Sequence, residues 1–132
     1  VETKQNNKMI NELFMNQCFE YGEREFNTKE TLDLLKMNGF KFWSWGASGF
    51  KNFGDKVLTF KVQGHHHKGY VVITLGWDDT YTIRLVSTQG NVKFKMEGVY
   101  FDMLFEILDE KIERIPEYVE IVNEVINQRL EH

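Results

Sequence analysis

The spacing of apolar residues changes twice along this chain, and those two changes constrain its fold more than any other feature. Up to residue 39 the apolar positions recur at helical spacing; from Phe40 to Met96 they recur every second residue; after Gly98 the helical spacing returns. A segment patterned for a helix does not sit as a strand, nor the reverse. The pattern therefore predicts an α+β fold, with a sheet built from the middle of the chain and helices supplied by both ends.

In the first part, Ile10, Leu13, Phe14, Gln17, Cys18 and Tyr21 form one largely apolar stripe, which predicts an amphipathic helix over 9–21. Asn27 followed by Glu30 is a helix-start signature, and Gly39 after Asn38 supplies a left-handed stop, so a second helix is predicted over 28–38. Five strands follow, at 40–46, 56–63, 69–75, 80–87 and 91–96. Leu58, Phe60 and Val62 alternate with Thr59 and Lys61; Val71, Ile73 and Leu75 alternate with Tyr70, Val72 and Thr74. Tyr81, Ile83 and Leu85 alternate with Thr82 and Arg84, as do Val92, Phe94 and Met96 with Lys93 and Lys95. Each strand thus has an apolar and a polar face, the pattern of an antiparallel sheet with one face covered. The breaks are turn chemistry: Gly64 to Gly69, Gly76-Trp77-Asp78-Asp79 and Thr88-Gln89-Gly90-Asn91. Such short connections imply a meander.

Past Gly98, Phe101, Leu104, Phe105, Leu108 and Ile112 make a third helical stripe, and Pro116 ends that helix and opens another carrying Val119, Val122 and Ile126. The predicted order is α-α-β-β-β-β-β-α-α, with the N- and C-terminal helices on the sheet's apolar face. A chain of 132 residues suits one such domain, set here at 9–129. Residues 1–8 are polar and expected to fray, and Leu130-Glu131-His132 reads as the remnant of an expression tag.

Charge is unevenly placed. Residues 36–68 hold six lysines against the single acid Asp55, a balance of +5 in a chain whose total is −4. The same stretch carries Phe40, Phe42, Trp43, Trp45, Phe50, Phe53 and Phe60, whereas 97–131 carries ten acids and three bases. Such polarity suggests a surface that meets a partner. The lone cysteine, Cys18, excludes an internal disulfide and points to a reducing, cytoplasmic setting. No run reaches the roughly 18 apolar residues of a membrane span.

Few residues suggest catalysis. His65 and His67, with His66 between them, could face one ion from an extended stretch. Zinc needs at least a third ligand, and the meander puts Asp55, Asp78 and Asp79 at the far end of the strands, so no metal site is expected. The histidines read instead as a solvent-exposed hairpin tip with no acidic neighbour. Cys18 lies on an apolar stripe and reads as core. Asp78-Asp79 could serve as paired carboxylates, but their Gly-x-Asp-Asp setting is that of a turn. Asp102, Glu106, Asp109, Glu110 and Glu113 read as the solvated side of a helix. Phosphate-loop, nucleophile-elbow and dinucleotide fingerprints are absent, and no cofactor is implied.

The remaining candidate is the sheet's polar face, with Lys61, Tyr70, Arg84, Lys93 and Lys95, joined by Trp43 and Trp45. The expected function is a small non-enzymatic binding or adaptor domain that contacts a protein partner, or itself, through this face and the aromatic segment 40–53. The alternative is single-stranded nucleic acid, with lysines on phosphates and rings on bases. The net negative charge makes that the less favoured partner. A small hydrolase using Asp55, Asp78 or Asp79 comes third, and no membrane partner is expected.

Overall fold

The structure is a computed structural model and describes residues 16–113. The expected frayed start, the first half of the N-terminal helix, the helix after Pro116 and the tag remnant lie outside the described residues. The described chain opens with a helical segment over 16–21 (α1), followed by α2 (Thr28–Lys36) and a short α3 (Phe40–Trp43). Five strands come next: β1 (Ser48–Phe53), β2 (Val57–Gln63), β3 (Lys68–Leu75), β4 (Tyr81–Val86) and β5 (Val92–Val99). A 3₁₀ turn (Phe101–Met103) then leads into α4 (Leu104–Ile112). The strands form one antiparallel sheet in the order β1-β2-β3-β4-β5, the expected meander within an α+β fold.

Helix α2 begins where its sequence says it should. The Asn27 side chain accepts a hydrogen bond from the Glu30 backbone N–H at 3.0 Å, a cap worth about 1 kcal/mol. Gly39 leaves the helix at φ 55°, a backbone conformation that side chains resist.

The predicted strand at 40–46 is a correction. Residues 40–43 are helical, and the first strand lies later, at Ser48–Phe53. Helical spacing lets Phe42 and Trp45, three residues apart, both reach full burial, with their rings 5.3 Å apart. The Ser44 hydroxyl, donating to the Lys41 carbonyl at 2.6 Å, helps close this turn. In β1, Phe50 and Phe53 are an odd number of residues apart and so face opposite ways. Phe50 packs against the main core and Phe53 joins a second cluster.

Those two clusters define the layers. Leu58, Phe60, Val62, Val71, Ile73, Ile83 and Leu85 point to one face of the sheet, where Leu35 of α2, Phe42 of α3 and Leu104, Leu108 and Ile112 of α4 cover them. On the opposite face, Phe53, Val57, Val72 and Val86 form a smaller apolar patch that receives Cys18 and Tyr21 of α1. The N-terminal helix thus meets the face that the alternation marks as polar. The reason lies in the sequence: valines at 57, 72 and 86 interrupt the polar set and give α1 a seat.

Candidate contact surface

The predicted site residues come together only in part: Lys61, Tyr70, Arg84 and Lys95 share one face of the sheet, while Trp43 and Trp45 lie elsewhere. Trp45 lies on the main core side, fully buried, where its indole N–H donates to Asp109 Oδ1 at 2.8 Å and its ring stacks on Phe105 at 5.0 Å. This moves Trp45 off the predicted binding face and Asp109 off the solvated side of its helix. A buried indole requires an acceptor, and Asp109 provides one. Trp43 sits on α3, on the outer side of the helical layer, and is half-exposed.

Tyr70 and Arg84 occupy the face that α1 meets, and both are half-buried. The Arg84 guanidinium lies 4.1 Å from the Tyr21 ring centroid, and one of its terminal nitrogens is buried without a hydrogen-bond partner. Burial pulls the Arg84 pKa below the usual guanidinium value. The Lys61 ammonium stands over the Tyr70 ring at 5.7 Å. Lys93 and Lys95 lie exposed on β5, and Lys95 pairs with Glu97 at 3.0 Å. The rings of this face are therefore engaged by the protein's own cations.

The histidine turn departs from the open tip that its sequence suggests. The Glu113 carboxylate accepts from the His65 backbone N–H at 2.8 Å, and the His66 N–H donates to the Ile112 carbonyl at 2.8 Å. An acidic neighbour is thus present, and the turn is docked on the end of α4. His65 and His66 stay exposed, but His67 is buried, with Nε2 3.1 Å from the Tyr70 carbonyl oxygen. Since a carbonyl can only accept, that nitrogen carries the proton. Burial lowers the His67 pKa, and the Tyr70 hydrogen bond partly offsets the effect. Among the described residues no three His, Cys, Asp or Glu side chains gather closely enough to hold a metal ion.

The carboxylates of the turns serve local structure. The Asp78 side chain accepts from the Thr80 N–H at 3.1 Å and the Thr80 hydroxyl at 2.8 Å, and these bonds hold its pKa below the usual carboxylate value. Asp79, at φ 64°, pairs with Arg24. Asp55, at φ 57°, exchanges hydrogen bonds with Asn52. All three are exposed in turns, where their side chains serve the local backbone and a neighbouring arginine. Cys18 is fully buried, its pKa pushed up to about 12 chiefly by desolvation, which leaves an inert thiol at neutral pH.

The structure instead singles out the corner between α2 and α3. Met37 is 83% exposed, Phe40 89% and Trp43 52%. Phe40 and Trp43 lie three apart on one side of α3, and Phe42, buried and edge-on to Trp43 at 5.0 Å, anchors the other side. Lys36 and Lys41 flank the corner. Sequence reasoning found Trp43 and the aromatic segment but passed over Met37 and gave Phe40 to a strand. The available signal was an apolar residue on each side of a helix-ending glycine. Trp77, 73% exposed in the β3–β4 turn with the Arg24 guanidinium 5.6 Å from its ring, was read only as part of a turn. Comparison with known proteins finds no matching family model, no similar curated protein and no similar solved structure.

Proposed function

We propose that this chain is a non-catalytic protein-contact module whose working surface is the Met37–Phe40–Trp43 corner. One observation carries the reading: three large apolar side chains project from a corner whose backbone is fixed by the buried Phe42 and Trp45. Scattered exposed apolar residues are ordinary, but a contiguous group on a rigid element is the usual mark of an interface. Aromatic residues and Met are also the side chains that interface cores favour. The expected partnership through the sheet's polar face draws less support, because α1 and internal cation–ring contacts occupy part of it. Binding of single-stranded nucleic acid there would need rings free to stack, and Tyr70 is half-buried under Lys61.

Site-specific photo-crosslinking in cells tests the reading. A crosslinking residue at position 40 is expected to yield discrete protein products, while one at the exposed Asn91 yields none of them. Those products should vanish when Met37 and Trp43 are changed to serine. Identical products from both positions, or none from position 40, would remove the proposal.

A further inference from the structure

We infer that the partner of this surface is a second copy of the same chain, docked about a two-fold axis; the inference rests on the α2–α3 corner being a contact surface. Beside that corner lies an open groove of about 240 Å³, whose lining includes Leu34, Lys41, Phe101, Asp102, Phe105 and Glu106. Asn38 and Lys41, which bracket Phe40 in the chain, both line the groove, so the Phe40 side chain leaves the backbone at the groove's edge. An apolar cavity of roughly 150 Å³ accepts a benzene ring, so the groove has room for a phenylalanine side chain. A surface that carries a projecting ring next to a receiving groove is complementary to itself. A two-fold axis would seat each Phe40 in the groove of the other copy and close the assembly at two chains.

The charges on the rim obey the same symmetry. Lys41 stands on the α3 side of the groove, and Asp102 and Glu106 stand on the α4 side, all three exposed. Exchange across the axis brings Lys41 of each chain to the acidic wall of the other, giving two matched sets of opposite charges. A partner of uniform charge would satisfy only one wall.

The pieces are also held in place before contact. Phe105 is stacked on Trp45 with the ring planes 15° apart, and Phe101 is stacked on Tyr81 at 6.4 Å. A preorganised groove and knob lose little freedom on docking.

Sedimentation equilibrium of the purified protein over a range of concentrations tests the inference. The apparent mass is expected to rise from one chain to two, with dissociation favoured by added salt. Phe40→Ser should weaken the dimer at least about tenfold, as loss of a central aromatic anchor does. Lys41→Glu should weaken it by setting like charges together, and Lys41→Glu combined with Glu106→Lys should restore it. These positions are exposed, so melting temperatures should stay near that of the parent, and the reciprocal pair reads contact independently of folding. A chain that stays single at every concentration, or a dimer indifferent to both Phe40→Ser and the charge exchange, would overturn the inference. Crosslinks from position 40 to a different protein, with the purified chain monomeric, would end the two-fold assembly and leave the contact surface standing. Absence of both results would remove both.

Discussion

Among single residues, His67 has an environment with a thermodynamic signature that can be measured. Its imidazole is buried and neutral in the fold, and its pKa lies below the usual value of 6.5. In the unfolded chain it titrates normally, so between the two values the unfolded state binds more protons. The His67 contribution to stability is therefore complete above about pH 6.5 and is lost as the pH falls toward the depressed folded value. Urea unfolding at pH 7.5 and 5.5 should show lower stability at the acid end, and His67→Gln should flatten the difference. An unchanged slope in that variant would mean another group carries the effect. His67 was not separable from His65 and His66 by sequence, because three identical residues give no sign of which one turns inward. Asp109 was hidden differently: it lies four residues after Phe105, at the margin of the apolar stripe, and nothing in its own helix announces the bond that the Trp45 indole makes to it.

At the scale of elements, the β2–β3 hairpin is fastened to α4 through a glycine. A Cβ placed on Gly64 would come 2.3 Å from the Ile112 carbonyl oxygen and 2.4 Å from its Cγ2. The chains meet too closely for any side chain, and the His65–Glu113 and His66–Ile112 hydrogen bonds depend on that approach. Gly64→Ala should therefore cost about 2 kcal/mol or more, in the range of overpacking, as read by chemical denaturation. Gly49→Ala, where open space surrounds the site but φ is 63°, should cost less, through backbone strain alone. Equal effects would show that the hairpin is not closely seated. The elements legible in sequence are those whose local signals agree. Helix α2 has its cap and its stop, and β2, β3 and β4 alternate between turn residues with one valine each breaking the polar set. The segment 40–46 was not legible, since Phe40, Phe42, Trp43 and Trp45 suit either period and only the need to bury both Phe42 and Trp45 decides. Strand β1 was missed because its two phenylalanines feed different faces. The contact corner was half-legible for the same reason: its aromatic content shows in the sequence, but its outward side exists only once residues 40–43 are helical.

For the whole molecule, the sheet's two outer strands bear on how the chain stays apart from unwanted neighbours. Strand β1 shifts register between Ser48 and Lys51, and β5 shifts near both of its ends. Exposed lysines at 51, 93 and 95 accompany those irregularities. Bulges and lysines together discourage edge-to-edge pairing. Among the described residues no helix is long and apolar enough to cross a membrane. The meander has a further consequence, for the time course of folding. Every pairing in the sheet joins consecutive strands across short turns, so each closes a short loop and costs little chain entropy. The contacts that fasten the helices span far more chain: Trp45 reaches Asp109 across 64 residues, Thr31 reaches Tyr81 across 50, and His65 reaches Glu113 across 48. The hairpins should thus be in place at the folding barrier, with α4 arriving after it. In stopped-flow measurements Leu108→Ala, from the fully buried side of α4, should speed unfolding and leave the folding rate nearly unchanged. Ile73→Val, in the central strand β3, should slow folding instead. The reverse pattern would mean that the helices lead, whereas the expected one describes a sheet that zips from its turns and is clamped afterwards.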